Sequence, residues 1–447
     1  MNKKTLEEIA FKEIDKHRDK IIDIANSILH EPEVGFKEKN TAQKVKEAFE
    51  EIGIKYRSEL AVTGIKGVLE EGKEGPVIAI IAELDAIINN DYPFADKETG
   101  AAHACGHFAQ VAQLIGAAIG LKKIADKLSG KVVLFVVPAE EYINLEFREA
   151  LKKEGHIKYY GGKQELIHLG EFDDIDIVIM QHAQSEYPGR KVLITDGSNG
   201  FIGKSVRFIG KEAHAGSAPY NGINALNAFN IALSAIHAQR ETFRDEDAVR
   251  VHPIITKGGD SVNNVPSDVK VELYVRARTV EIIEEVNRKV DIALMAGAMA
   301  VGAQVEIINT PGYLPVENNN KLISIWAKNA AELIGGENVL HVGPRGSSTD
   351  MGDLTQIKPG IHPYVGSFSG HSHSRDFKVA DPEMAYIISS KIYVLTIIDL
   401  LYGEAETAKD IIRDFTPNLS KDEYLKLLDS LSYKRQWSYV SENFAIL

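Results

Sequence analysis

Cysteine is almost absent: Cys105 is the only one in 447 residues. A single thiol excludes an intrachain disulfide framework and fits a reducing compartment. Basic residues are the minority, 51 Lys and Arg against 64 Asp and Glu, for a formal net charge of −13. That balance excludes the basic surface required for non-specific binding to nucleic acid or anionic membrane. Long apolar runs are missing as well. The longest, such as Val77–Ala82 and Val132–Val137, are of strand length, far short of the roughly 20 residues that span a bilayer. The start, Met1-Asn2-Lys3-Lys4, passes directly into a charged helical pattern without the apolar segment of a secretory signal. The expectation is a cytoplasmic protein with neither nucleic acid nor membrane as partner. What is present is ordinary globular composition, 44% hydrophobic and 26% charged. The length suffices for large cores and, at about 150 residues per domain, for two or three domains.

The chain opens with helical periodicity: Thr5 and Glu8 have capping-box spacing, and Ile14, Ile21, Ile24 and Ile28 recur near helical period. A second helix is predicted from Asn40 to Ile52, stopping at Gly53. Strand Val77–Ala82, helix Ala109–Leu128 and strands Lys131–Val137 and Asp176–Met180 follow. This alternation predicts an α/β fold with a mixed, largely parallel sheet. From about residue 200 the pattern changes to strand Ser205–Gly210, helix Gly222–Arg240, strands Val249–Thr256 and Val269–Arg278, helix Ile282–Ala303 and strand Gln304–Ile308. That is the βαββαβ order of ferredoxin-like domains. The α/β pattern resumes after Pro315 with helix Lys321–Ile334 and strand Ile361–Ser367, and the tail Glu404–Leu447 reads as charged helical segments. A discontinuous α/β domain over 1–199 and 313–447 is therefore expected, with a smaller domain, 200–312, inserted into it.

Each strand of the larger domain leads into chemistry. Val77–Ala82 runs into Glu83-Leu84-Asp85, Lys131–Val137 into Pro138-Ala139-Glu140-Glu141, Asp176–Met180 into Gln181-His182, and Ile361–Ser367 into Gly370-His371-Ser372-His373. Open α/β sheets bind ligands outside the carboxyl ends of their strands. Between the first two strands lies His103-Ala104-Cys105-Gly106-His107. A lone cysteine is more often a small buried apolar residue than a ligand, but a histidine two positions to either side favours a ligand. Thiolate, imidazole and carboxylate converging on one sheet edge read as a metal site. Gly343–Ser348 lacks the ending of a nucleotide-binding P-loop, although its backbone N–H groups suit an anion such as a carboxylate. His214 sits in a small-residue turn, Gly210–Gly216, and Asn263-Asn264-Val265-Pro266 forms another turn-rich loop.

These segments resemble the aminoacylase/carboxypeptidase family of dinuclear metallohydrolases, nearest to the branch of aminobenzoyl-glutamate, indoleacetyl-amino-acid and hippurate hydrolases. The resemblance spans about His30 to Ala380 and rests on HEPEVGFKE (30–38), AELDA (82–86), HACGH (103–107), PAEE (138–141), GKEAHAGSAP (210–219) and HSRDF (373–377). Segments 161–170 and 347–353 look like its dipeptidase and aminobenzoyl-glutamate sub-branch. The family resemblance implies that the inserted domain is a lid and dimerisation domain. It implies Cys105 as bridging ligand, with His107, Glu141, His182 and His373 as further metal ligands. His373 is preferred to His371 because Phe377 follows it at the usual spacing. Glu140 becomes the general base, Asp85 the carboxylate behind the ligands, and His214 the lid histidine that reaches a partner's site in a homodimer. Asn264, Arg276, Arg345 and Gly346 are candidates to bind the substrate's carboxylate. The cofactor expected is two divalent ions per chain, zinc first, with manganese, cobalt and nickel as alternatives. The activity implied is hydrolysis of an amide in an N-acyl-amino acid or dipeptide-like substrate, a small-molecule amide. The alternatives are an N-acyl or N-acetyl amino acid deacylase and a non-catalytic binding protein on the same fold. Phe108 stands where the family pattern usually has Asp or Asn, and Ala86-Ile87-Ile88 replaces its common Leu-Pro.

Overall fold

The computed structural model describes residues 1–70 and 72–438, which form two compact units. The first comprises Met1–Gly197, Val316–Pro344 and Asp350–Leu419. The second comprises Ser198–Pro315, Arg345–Thr349 and the chain from Ser420.

The first unit is built on strands β1 (Lys55–Leu60), β2 (Gly64–Leu69), β3 (Lys73–Glu83), β4 (Ser129–Val137) and β5 (Ile177–Ile179), in the order β1-β2-β4-β3-β5 and then Gly360–Ile361. From β4 onwards neighbours run parallel, whereas β1 and β2 are antiparallel. The sheet is mixed and largely parallel. The apolar halves of β3 and β4 are buried residue after residue, as strands covered on both faces must be. One cover is the helix His107–Lys122, buried at every position from His107 to Leu121. A helix apolar all round belongs in a core.

Four local expectations differ from the structure. The first helix begins at Lys3, because Asn2 Oδ1 accepts from Thr5 N at 2.9 Å and caps it; Thr5 lies inside. The helical stretch Glu383–Leu401 is long and apolar enough to cross a bilayer, although no such run was expected; most of it is buried as a core element of the first unit. Strand Ile361–Ser367 is broken: Gly360–Ile361 pairs with β5, while Tyr364–Val365 joins a separate sheet beside His182–Ala183 and Val192–Thr195. Pro363 between them has no N–H to continue a ladder. The fourth difference is the tail.

The second unit holds β6 (Gly200–Ile209), β7 (Arg250–Lys257), β8 (Asp268–Ala277), β9 (Gln304–Pro311) and β10 (Tyr433–Trp437), antiparallel throughout in the order β7-β8-β6-β9-β10. In β8, Val269, Val271, Leu273, Val275 and Ala277 are buried alternately, the pattern of a sheet with one face in a core. Helices Ala225–Ala238 and Val280–Val301 contribute the rest of that core. The chain from Ser420 was expected to be helical and to belong to the larger domain. Instead it gives helix Lys421–Leu431 and then β10, both in the second unit; residues 439–447 lie outside the described residues. Local pattern could not show this, since Tyr433-Lys434-Arg435-Gln436-Trp437 is held by distant partners. Tyr433 OH donates to Asp291 Oδ2 (2.6 Å), Arg435 Nη1 lies 3.0 Å from the same oxygen, and buried Lys204 pairs with Asp291 Oδ1 at 2.5 Å.

The two tryptophans are divided between the units, Trp326 in the first and Trp437 in the second. Trp437→Ala should remove about 3–5 kcal/mol from the second unit. Denaturant unfolding followed by circular dichroism reads this, with Trp326 fluorescence left to report on the first unit. An unchanged transition would contradict the docking of β10.

Candidate metal centre

The carboxyl ends of β3 and β4 and the start of helix His107–Lys122 meet at one place in the first unit. Glu83 is the last residue of β3, and Asp85 follows two positions later. Gly106 caps the helix at φ 102, and a Cβ there would fall 2.5 Å from that of Ala183. Only glycine lets Cys105 and His107 flank so tight an entry. After β4, Ala139 takes φ 55, a left-handed turn that carries Glu140 and Glu141 away from the strand direction. Two buried side chains frame that turn. Glu38 Oε1 accepts from Ala139 N at 2.9 Å. Arg148 donates to the carbonyl oxygens of Glu141 and of Tyr160. His373 is also left-handed (φ 67), with its N bound to Ala104 O (2.8 Å) and its O accepting from Asn89 Nδ2 (2.9 Å). Such strain persists only where neighbours over-determine it.

These turns gather the side chains. Cys105 Sγ lies 3.5 Å from His182 Nε2 and 3.3 Å from His373 Nε2, and His373 Nε2 lies 3.4 Å from Glu141 Oε1. His107 Nε2 lies 4.0 Å from Glu140 Oε2. His107 Nδ1 is 2.8 Å from the Asp85 carbonyl oxygen and 3.3 Å from Asp85 Oδ1; Asp85 Oδ2 accepts from Glu141 N at 2.9 Å. A carbonyl only accepts, so His107 carries a proton on Nδ1 and turns Nε2 inward. His182 does the same, with Nδ1 2.9 Å from Ala183 O. Fixing the outer nitrogen is how proteins orient metal-binding histidines.

Cys105, His107 and His182 form one triplet of candidate ligands, and Cys105, Glu141 and His373 another, the donor atoms of each lying within 4.8 Å of one another. Cys105 belongs to both, as a bridging ligand would. His107 Nε2 and Glu141 Oε1 are buried without a hydrogen-bond partner. The donor set of thiolate, imidazole and carboxylate fits a pair of divalent ions. Burial, then the charge of Glu141, pushes the Cys105 thiol well above its ordinary pKa. Burial, then the charges of Glu83, Glu141 and Asp350, raises Glu140 well above the usual carboxylate range. For His182, burial outweighs the charge of Glu83 and depresses the imidazole to about 4, leaving it neutral and ready to ligate.

His371 stays outside, its side chain 91% exposed and 3.7 Å from Asp376. His103 is buried with neither ring nitrogen hydrogen-bonded. His214, Asn264, Arg276, Arg345 and Gly346 all lie in the second unit. There His214 pairs with Asn264 across a β-bridge, and Arg276 Nη1 donates to Ser348 Oγ (2.7 Å), close in sequence to Arg345 and Gly346. Sequence reasoning missed the residues behind the ligands: Glu38, Glu83, Arg148, Lys163 and Asp350. Glu83 and Glu38 stood inside quoted motifs. Lys163 and Asp350 stood in the two sub-branch segments and had no assigned role.

A thiol with a raised pKa must lose its proton to ligate, so metal uptake at neutral pH should release at least one proton. Apparent affinity should then fall about tenfold per pH unit per proton displaced as the pH is lowered. Calorimetry in buffers of different ionisation enthalpy measures this, and Cys105→Ala should lose both the proton release and most of the binding. Uptake without proton release would place the ions elsewhere.

The model of the peptidase family M20/M25/M40 matches residues 79–398. Xaa-Arg dipeptidase of Mus musculus is 28% identical over 337 residues, 72% of this chain and 72% of its own length. IAA-amino acid hydrolase ILR1-like 5 of Arabidopsis thaliana is 26% identical over 82% of this chain and 84% of its own. The solved structure of the Bacillus subtilis YXEP protein, described as a dinuclear metal-binding peptidase of family M20, superposes with a TM-score of 0.67 at 23% identity, covering 86% of this chain and 98% of that one. With its strand-end cluster of cysteine, histidine and glutamate, the chain belongs to peptidase family M20/M25/M40, the metal-dependent hydrolases of amide bonds.

Proposed function

We propose that this hydrolase releases a free amino acid from N-acyl-amino acids or dipeptide-like amides, in the cytoplasm, as a homodimer holding two zinc ions per chain. The observation that carries the proposal is the sharing of Cys105 between two ligand triplets, with Glu140 beside His107. Cys105, His107, Glu141, His182 and His373 would hold the ions. When bound, such a pair lowers the pKa of water and polarises the scissile carbonyl.

The protein's own groups do the rest. Glu140, less than a tenth exposed, takes a proton from the attacking water and passes it to the leaving amine, a contribution of about 10²–10⁴. Asp85 keeps the His107 imidazole in one tautomer. His214 Nδ1 accepts from Gly216 N and Ser217 N, each at 3.1 Å. Its proton therefore sits on Nε2, ready to donate to the oxyanion of the tetrahedral intermediate. The βαββαβ order and antiparallel β7-β8-β6-β9 sheet of the second unit support a ferredoxin-like lid and dimerisation domain. Through it, His214 would serve the site of a second copy.

The substrate's carboxylate is assigned to Arg276. Its guanidinium lies 5.1 Å from the ring centroid of Phe201 and 5.3 Å from that of Tyr274, and its Nε donates to His252 Nε2 at 3.3 Å. Burial holds its pKa below the ordinary value, and among the described residues no carboxylate pairs with it. A partly buried cation without a counter-ion favours an anionic ligand. Asn264 and the Arg345-Gly346 backbone would complete that subsite.

Glu140→Gln should keep both ions and lose at least about 10² in turnover, and Glu141→Gln should weaken metal binding. His214→Ala should be nearly inactive with its metals intact. Mixing Glu140→Gln with His214→Ala under subunit exchange makes about half the dimers mixed, and one site of each mixed dimer, about a quarter of all sites, is whole. Recovered activity supports action across the dimer. Proven exchange with no recovery rejects it.

A further inference from the structure

Glu83 stands outside the two Cys105 triplets, yet it occupies a demanding position. Its side chain is wholly buried at the end of β3. Oε1 accepts from Lys163 Nζ at 2.6 Å, and Oε2 accepts from Gln110 Nε2 at 2.9 Å. Gln110 also binds the Glu83 backbone, its Oε1 accepting from Glu83 N at 2.9 Å. Lys163 is equally buried and divides its ammonium between Glu83 and Asp350, whose Oδ2 also accepts from Lys163 N at 3.0 Å. Two carboxylates thus share one ammonium, which alone does not balance them. An uncompensated buried charge is strongly unfavourable.

The remaining face of Glu83 points at the ligand cluster. Oε2 lies 3.1 Å from His107 Nε2, but the two are not aligned as a hydrogen bond, and Nε2 has no hydrogen-bond partner. The Asp85 carbonyl holds a proton on Nδ1, so Nε2 is the ring nitrogen that faces Glu83. Nε2 and a carboxylate oxygen face each other, both buried, with Glu140 beside them; potential ligand atoms of Glu83, His107 and Glu140 lie within 4.8 Å of one another. A ring nitrogen and a carboxylate oxygen held this close need a proton or a metal ion between them, and the membership of His107 in the Cys105 triplet of candidate ligands favours an ion. Lys163 and Gln110 fix the carboxylate in that place, as outer groups orient a metal ligand.

We propose that Glu83 is a ligand of the metal centre, its Oε2 sharing with His107 Nε2 the ion on that side of Cys105. This rests on the site being a dinuclear metal centre. It also gives the segments around Lys163 and Asp350 a purpose: they hold a carboxylate against the metal.

The test titrates zinc into metal-free wild type and Glu83→Gln, counting ions by calorimetry and elemental analysis. Wild type should bind two ions. Glu83→Gln should keep one at wild-type affinity and bind the other at least about tenfold more weakly, and Glu83→Asp, which withdraws the carboxylate by one methylene, should fall between. Wild-type affinity for both ions in folded Glu83→Gln overturns the proposal and leaves the dinuclear centre standing; a wild type that binds no zinc overturns both. Should the variants not fold, a zinc-loaded wild-type crystal structure decides, with zinc about 2.0–2.2 Å from Oε2 as the expected result and Oε2 outside bonding range as the contrary one.

Discussion

Carboxylates taken out of water must be matched by cations, and the ligand-bearing end of the first unit is organised around that demand. Glu38, Glu83, Asp85, Glu140, Glu141 and Asp350 are each no more than 9% exposed. Lys163 and Arg148 bring positive charge and N–H donors to this region, but not enough for so many acids. His107 and His182 are turned so that Nε2 points inward, His182 as a neutral imidazole. A pair of divalent ions would offset the surplus, and the same ions would supply the hydrolytic chemistry. Stability and catalysis thus draw on one electrostatic arrangement.

The backbone serves that arrangement at some cost. Gly106 has no room for a side chain, and Ala139 and His373 sit in the left-handed region. Each places a candidate ligand or the proposed base at an angle a regular strand or helix would not allow. Left-handed residues other than glycine cost roughly 1–2 kcal/mol, and here the bonds from Glu38, Arg148, Asn89 and Ala104 hold the strained conformers in place.

Much of this was legible in the sequence because its signals are local. The apolar runs that become β3 and β4 are followed within four residues by two acids each, and HACGH carries three potential ligands within five residues. His373 was preferred to His371 through the family resemblance, in which Phe377 follows at the usual spacing, and the structure brings His373 to Cys105. What stayed hidden depends on distance along the chain. Lys163 and Asp350 are 187 residues apart and meet only in the folded unit. Strand β10 reads as a charged segment until Asp291 and Lys204 are placed beside it. Glu83 lay in plain view, but a glutamate at a strand end has no mark that tells a ligand from a structural acid; its approach to the unpartnered Nε2 of His107 is visible only in the fold.

The most direct measurement strips the protein with a chelator and restores zinc in steps, following zinc bound per chain and the release of free amine from N-acyl-amino acids and dipeptides. Turnover should be absent at first, rise with zinc, and level off at two ions per chain. Hydrolysis that persists in the stripped protein, or that climbs without regard to bound zinc, would contradict a metal-dependent hydrolase centred on Cys105.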